Sequence, residues 1–293
     1  MTKKKRILLW LLAAAVLLGC GTGIWAYRSA VRCREELSVA HYTLQTPLTE
    51  PIRIVHLSDL HGWRFGENNT RLVELVAQQQ PDLILMTGDM LDASDENADT
   101  VCALIEALTE FAPVYYGYGN HEYDWMKRTG ESLTPALTGA GATVLDVDYA
   151  DITVNGQALR LGGYHGYYRQ PGMFQVSEQQ RAAELDFAVQ FETTSRYKIL
   201  LCHIPTAWLD WEYMDKYAVD LVLTGHYHGG QVRLPLIGGL YAPYVGLFPR
   251  YTRGIYDGEE ATCVLSAGLG ASLGIPRINN LPQVVVVDLS PDT

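Results

Sequence analysis

The sequence predicts an α/β fold carried behind an N-terminal apolar helix. Three observations predict it. Short β-branched runs alternate with longer amphipathic stretches from about Leu37 onward, nearly every run ends in a polar cluster, and Ile7 to Tyr27 contains no charge. With 293 residues, 48% of them hydrophobic and 19% charged, the chain can bury a sizeable core, which excludes disorder as a description of the whole. No repeat or linker divides it, so one globular body is expected.

The uncharged stretch is 21 residues long and would span roughly 31 Å as a helix, enough for a bilayer core. The expected organisation is a basic tail at 1–6, a transmembrane or signal-anchor helix at 7–27, a juxtamembrane linker at 28–36 and a globular domain at 37–293. Leu17-Leu18-Gly19-Cys20 also resembles a lipoprotein cleavage box, with lipidation at Cys20. A retained anchor is the preferred reading, because the apolar run continues past the cysteine into Trp25 and Tyr27, residues suited to the membrane interface. Lys3 to Arg6 precede the helix while Arg28, Arg32 and Arg34 follow it, so orientation is finely balanced. A single-pass protein of the cell membrane with its body outside the cytoplasm is expected.

Seven of the 22 basic residues precede the first acid, Glu35, leaving the body with 15 basic against 33 acidic side chains. Such a surface repels nucleic-acid backbones, and no Lys/Arg cluster offers a local exception. Five cysteines without a CxxC pair imply no disulfide framework, and Cys102, Cys202 and Cys263 read as buried thiols.

Buried strands are predicted at Ile52 to Leu57, Leu83 to Met86, Pro113 to Tyr116, Tyr197 to Cys202 and Val219 to Leu223. Helices are predicted at Thr70 to Gln79, Ala98 to Phe111, Glu178 to Val189 and Ala207 to Lys216. The repetition implies largely parallel pairing. Later runs at Thr252 to Tyr256, Ala261 to Ser266 and Gln283 to Leu289 read as strands of a second sheet packed on the first.

The chemistry gathers where these strands end, the edge at which open α/β sheets form sites. Ser58-Asp59-Leu60-His61, Gly88-Asp89, Gly119-Asn120-His121-Glu122, Cys202-His203 and Gly225-His226-Tyr227-His228 follow the five strands in order. Asp59, His61, Asp89, Asn120, His203, His226 and His228 offer only oxygen and imidazole nitrogen, a donor set for Mn, Fe or Zn. On extended strand ends the pairs Asp59-x-His61 and His226-x-His228 would each point one way and could pinch a metal between them. Seven ligands exceed the need of one ion, and a carboxylate can bridge two. Any one Asp or His here would pass for a turn former or a packed residue. Recurrence at five consecutive strand ends defeats that reading.

The order Asp59-x-His61, Gly88-Asp89, Gly119-Asn120-His121-Glu122, His203, Gly225-His226-x-His228 resembles the calcineurin-like metallophosphoesterase superfamily, from about Val39 to Leu289. Gly225 to Pro235 and Gly268-Leu269-Gly270 further resemble its membrane-anchored branch, which includes YkuE-like phosphoesterases and UDP-2,3-diacylglucosamine pyrophosphatases. The resemblance implies a four-layer α/β/β/α sandwich of two mixed sheets. It implies two divalent metal ions, one held by Asp59, His61, Asp89 and His228, the other by Asp89, Asn120, His203 and His226, with Asp89 as the bridge. It also implies hydrolysis of phosphate ester or pyrophosphate bonds by a metal-activated water, with His121 as the catalytic residue that stabilises the transition state or protonates the leaving oxygen, oriented by Glu122 or another carboxylate. Within the branch Thr is more common at the position of Tyr227, and Asp often replaces Glu122. Neither departure touches an expected ligand, so both bear on substrate fit.

The anchor suggests a phospholipid-like or otherwise lipid-linked substrate, though a phosphorylated small molecule fits the chemistry too. A non-catalytic metal- or partner-binding module and a nuclease of the same superfamily are the competing readings. His165 could reach the site from a loop, with a surface or turn position the preferred reading, and His56 and His41 read as packed or solvent-facing. Arg64, Arg233 and Arg277 are candidate phosphate contacts, with a surface salt bridge the plainer role for each. The aromatic stretches Trp208 to Tyr217 and Tyr241 to Tyr251 could line an apolar groove near the membrane or be core, with core the preferred reading.

Overall fold

Strands that are apolar at nearly every position need cover on both faces, and the chain supplies it with two sheets and flanking helices. The computed structural model describes residues 2–166, 177–271 and 274–292. The strands of four residues or more are β1 (Ser38–Thr46), β2 (Ile52–Leu57), β3 (Leu83–Met86), β4 (Val114–Gly117), β5 (Ala142–Leu145), β6 (Asp148–Val154), β7 (Gln157–Gly163), β8 (Tyr197–Leu201), β9 (Leu221–Thr224), β10 (Gly254–Asp257), β11 (Thr262–Leu265) and β12 (Gln283–Pro291). The helices are α1 (Lys3–Glu35), α2 (Thr70–Gln78), α3 (Asp99–Thr109), α4 (Asn120–Thr129), α5 (Thr134–Gly139), α6 (Glu178–Glu192) and α7 (Thr206–Leu209).

One six-stranded sheet has the order β1-β12-β2-β3-β4-β5 and the other β10-β11-β9-β8-β7-β6. Both are mixed. In the first, β12 runs antiparallel to β2 while β2, β3, β4 and β5 are parallel; in the second, β10 and β6 are the antiparallel edges of a parallel centre. The strand alternation divides the side chains between layers. Ile52 and Ile54 of the first sheet share a core with Ile199, Leu161, Leu201 and Leu223 of the second, closed by Leu85 and Val287. Val55 and Leu57 face outward instead, beneath Leu72 of α2, Leu104 of α3 and Leu137 of α5. On the far side Leu200 and Val222 pack under Phe187 and Phe191 of α6 and Trp208 of α7. This is the expected four-layer sandwich, and each fully buried Leu, Ile or Val contributes roughly 1.5–3 kcal/mol to it.

Two expectations are corrected. The last three strands do not share the second sheet: β12 enters the first, where Val284 and Val286 cover one core and Val285 and Val287 the other. The helix expected over Ala207 to Lys216 stops after Leu209, Glu212 takes φ +58°, and a single 3-10 turn follows at Tyr213–Asp215. On a continuous helix Trp208 and Tyr213 would point about 140° apart. The break lets their rings meet edge to face with centroids 5.9 Å apart, and Trp208 is fully buried as expected of a core stretch.

Helix α1 is long and apolar enough to cross a membrane, and its apolar window is covered by no other described part of the protein. It does not stop at Tyr27 but continues through residues 28–35 to reach the body. There Cys33 is buried, the Asn279 N–H donates to Ser29 Oγ at 2.6 Å, and the Arg34 guanidinium lies 5.3 Å over the Trp63 ring.

Candidate functional site

The ends of β2, β3 and β4 in one sheet and β8 and β9 in the other open onto the same rim, so residues distant in sequence meet there. The backbone that presents them is unusual. Asp59, His61, Asp89, His226 and His228 all have positive φ, between 47° and 69°, where non-glycine residues are uncommon and Asp, Asn and His least disfavoured. Gly88, at φ +84°, lies so close to the Gly119 backbone that a Cβ would collide with it, which brings the ends of β3 and β4 together.

Donor atoms of Asp59, His61 and His228 all lie within 4.8 Å of one another, as do those of Asp89, His203 and His226. Asp89 Oδ2 connects the groups, 3.1 Å from His203 Nε2 and 3.8 Å from His61 Nε2. Asp59 Oδ1 is 3.6 Å from His228 Nε2. His226 and His228 therefore do not pinch one position as a pair: left-handed backbone at both replaces the extended alternation and sends the rings to different groups. Asp59 is fixed by the His226 N–H, which donates to its Oδ1 at 2.9 Å. Asn120 begins α4, and the His121 N–H beside it donates to Asp89 Oδ1 at 2.8 Å.

Second partners set the imidazoles. His203 Nδ1 donates to the Thr87 carbonyl at 2.7 Å, which turns Nε2 toward Asp89 and His226 Nδ1, the latter at 3.1 Å. The Ala93 N–H donates to His121 Nδ1 at 3.0 Å, so in the neutral ring the proton sits on Nε2, 4.0 Å from Asp89 Oδ2. Burial disfavours charge on His203, but the Asp89 carboxylate beside it holds its pKa up to about 9. Burial pushes the Asp89 carboxyl the other way, and the His203 charge overrides it, leaving Asp89 well below the usual carboxylate range. Burial, then the neighbouring His203 and His61 charges, keep His226 and His228 respectively neutral.

Glu122 does not orient His121. Its buried carboxylate accepts from the Asp89, Met90 and Gly119 N–H groups at 2.8, 2.9 and 2.7 Å and from the Tyr116 hydroxyl at 2.7 Å. The group beside His121 Nδ1 is Asp92, 3.5 Å away and also 3.7 Å from His61 Nδ1. Sequence reasoning passed over Asp92, whose only signal is its place three residues after Asp89. The side-chain and backbone groups of Ser94 both donate to Asp92 Oδ1, which leaves Oδ2 for the two imidazoles.

Tyr227 turns away from the rim into the core, its hydroxyl 2.8 Å from Thr206 Oγ1. Arg277 is buried and donates to the carbonyls of Gly270 and Ala267, Arg233 donates to Gly229 and Thr252, and Arg64 to Thr100. None of the three forms the expected surface salt bridge among the described residues. His165 packs its ring 4.3 Å from that of Tyr123, His56 is buried against Thr87 Oγ1 and His41 is exposed.

A family model described as calcineurin-like phosphoesterase matches residues 52–230. Phosphodiesterase YaeI of Escherichia coli (strain K12) is 29% identical over 246 residues, covering 82% of this chain and 82% of that protein. The uncharacterized metallophosphoesterase YkoQ of Bacillus subtilis (strain 168) is 26% identical over 247 residues, covering 81% and 83%. YkuE of the same organism, likewise an uncharacterized metallophosphoesterase, is 25% identical over 289 residues, covering 95% and 93%.

Proposed function

Because the chain belongs to the calcineurin-like phosphoesterase family, whose model spans residues 52–230, we propose that its rim of strand ends is a two-cation phosphoesterase centre acting at a membrane surface. The enzyme class, a metal-dependent phosphoester hydrolase, follows from the family. The residue roles, the anchor and the substrate are our reading.

The donor set fits divalent cations. Buried atoms Asn120 Oδ1, His61 Nε2, His226 Nε2 and His228 Nδ1 have no hydrogen-bond partner among the described residues, a costly state that a bound cation relieves at the oxygen and at unprotonated nitrogens. We assign Asp59, His61 and His228 to one ion and Asn120, His203 and His226 to the other, with Asp89 serving both. The carrying observation is Asp89 Oδ2, which faces His203 of one group and His61 of the other. When bound, the ions supply positive charge to a phosphoryl group in transit and acidify the attacking water.

The chain's own contribution is orientation and a proton. His121, held by the Ala93 N–H with its proton on Nε2, is placed to donate from that atom to a phosphoryl or departing oxygen. Asp92, with Oδ2 3.5 Å from Nδ1, positions the ring. The apolar part of α1 supports a membrane tether, and a tethered site favours phosphoesters borne on lipids. The acidic body argues against the nuclease alternative.

The test is turnover of bis(p-nitrophenyl) phosphate by the full-length protein in detergent with manganese, zinc or iron. Cleavage that needs the metal and disappears in Asp89→Asn supports the reading, and cleavage by metal-stripped protein at the same rate refutes it.

A further inference from the structure

Residues 234–249 are sixteen in a row without a charged side chain, bounded by Arg233 and Arg250. They fold as two short antiparallel ladders, Arg233–Leu234 with Gly238–Gly239 and Tyr241–Ala242 with Gly246–Leu247. Ala242 of this flap is buried, but its larger apolar groups stay uncovered: Leu236 is 108% exposed, Leu247 67%, Ile237 64% and Phe248 58%. The expectation that Tyr241 to Tyr251 is core holds for Ala242 and for Tyr251, which packs against that core, and fails for Tyr244, Leu247 and Phe248. Contiguous apolar exposure of this kind marks an interaction surface rather than chance.

The base of the flap identifies the partner. The Arg233 N–H donates to Ile278 O at 2.9 Å, Asn279 Nδ2 donates to Arg233 O at 3.1 Å, and the Asn279 N–H donates to Ser29 Oγ at 2.6 Å. Ser29 lies two residues beyond Tyr27, the last residue of the uncharged run of α1. The flap thus leaves the body where α1 would leave a bilayer. Arg253 and Arg32, the latter paired with Glu36 Oε2 at 2.7 Å, line a cleft of about 440 Å³ at the same place, together with Ser29 and Asn279. In a chain of net charge −11, the Arg253 charge beside an exposed apolar flap suits anionic headgroups over a hydrocarbon layer. The inner end of the flap reaches the site, since the Tyr244 ring stacks on His226 with centroids 4.9 Å apart and planes at 25°.

We propose that residues 234–249 insert into the bilayer surface beside α1 and, through Tyr244, hold the mouth of the site against lipid-borne phosphoesters. This rests on the phosphoester hydrolase reading and deepens it by naming the surface that selects the substrate.

The test uses the full chain in nanodiscs of phosphatidylglycerol and phosphatidylethanolamine, with the photocrosslinking residue benzoylphenylalanine replacing Leu236, Phe248 or, as control, Phe111, which is 47% exposed just beyond the end of α3. Lipid adducts are expected from the two flap positions at ten or more times the yield from Phe111. Adducts to a second copy of the chain, or lipid yields no higher than the control, overturn the proposal. In the same discs the Leu236→Asp/Phe248→Asp double variant is expected to lose at least about tenfold in cleavage of a lipid-linked p-nitrophenyl phosphodiester while keeping turnover of bis(p-nitrophenyl) phosphate. Equal loss on both probes, or on neither, overturns the selective role of the flap. If the unaltered protein cleaves neither probe, the hydrolase reading fails, while the adduct pattern still decides whether the flap meets lipid.

Discussion

Glu122 and Asp89 are locked back to front: the Glu122 carboxylate accepts the backbone N–H of Asp89 at 2.8 Å, while the Asp89 side chain faces away from it toward His203. The carboxylate also accepts from Met90, Gly119 and Tyr116, so it ties the loop after β3 to the start of α4. Glu122→Gln places an NH₂ group among donors with nothing to accept it. It is expected to lower unfolding stability by about 2–4 kcal/mol and weaken metal binding by about 10–100-fold. Denaturant titration and metal competition measure the two effects, and a variant with unaltered melting and metal affinity would show the lock to be ornamental.

Asp89 is the carboxylate we assign to both donor groups. Asp89→Asn keeps its shape and removes its charge, so both cations lose a ligand together and turnover of a soluble diester is expected to fall by at least about 100-fold. Metal analysis after dialysis should find less than the full complement at both positions. Retention of two ions per chain would contradict the bridging assignment.

His121 touches Ala93, Asp89 and Asp92 but belongs to neither of the groups that Asp89 connects. His121→Ala is expected to keep its metals and lose about 10²–10⁴-fold in kcat. Asp92→Asn is expected to lose less, about tenfold in kcat, because Asp92 Oδ2 lies 3.5 Å from His121 Nδ1 and positions the ring rather than supplying the proton. An unaltered kcat in Asp92→Asn would remove Asp92 from this role.

The strand ends were legible because each apolar run stops at a residue able to bind a cation, and β2 and β3 begin and end where the run does. Asp92 was not, because one aspartate in a loop carries no periodicity. The partition of His226 from His228 was hidden in two left-handed backbone angles, which the spacing of the residues does not encode. The place of β12 depends on pairing with β1 and β2, more than 200 residues away, and a run of valines says only that both faces are buried. The exposed flap reads as core for the same reason: apolar composition reports what a side chain avoids, and a bilayer satisfies it as well as a protein interior does.

Arg160 and Asp151 stand directly opposite each other on β7 and β6, paired at 2.6 and 2.8 Å, with the guanidinium also over the Tyr149 ring at 4.2 Å. The hydrogen bonds from Arg160, against a smaller cost of burial, hold the Asp151 carboxyl below its ordinary pKa. A carboxylate depressed on folding stabilises the protein above its unfolded pKa of about 3.9, and that stabilisation is lost as pH falls through the lower folded value. Asp151 is about one-third exposed, so solvent screening discounts the pair to about 1 kcal/mol. Asp151→Asn in metal-free protein is expected to melt a few degrees lower at pH 7 and to approach the unaltered protein as pH drops below about 3. A difference in melting temperature that stays constant between these pH values would place the cost in packing against Arg160 and Tyr149 rather than in charge.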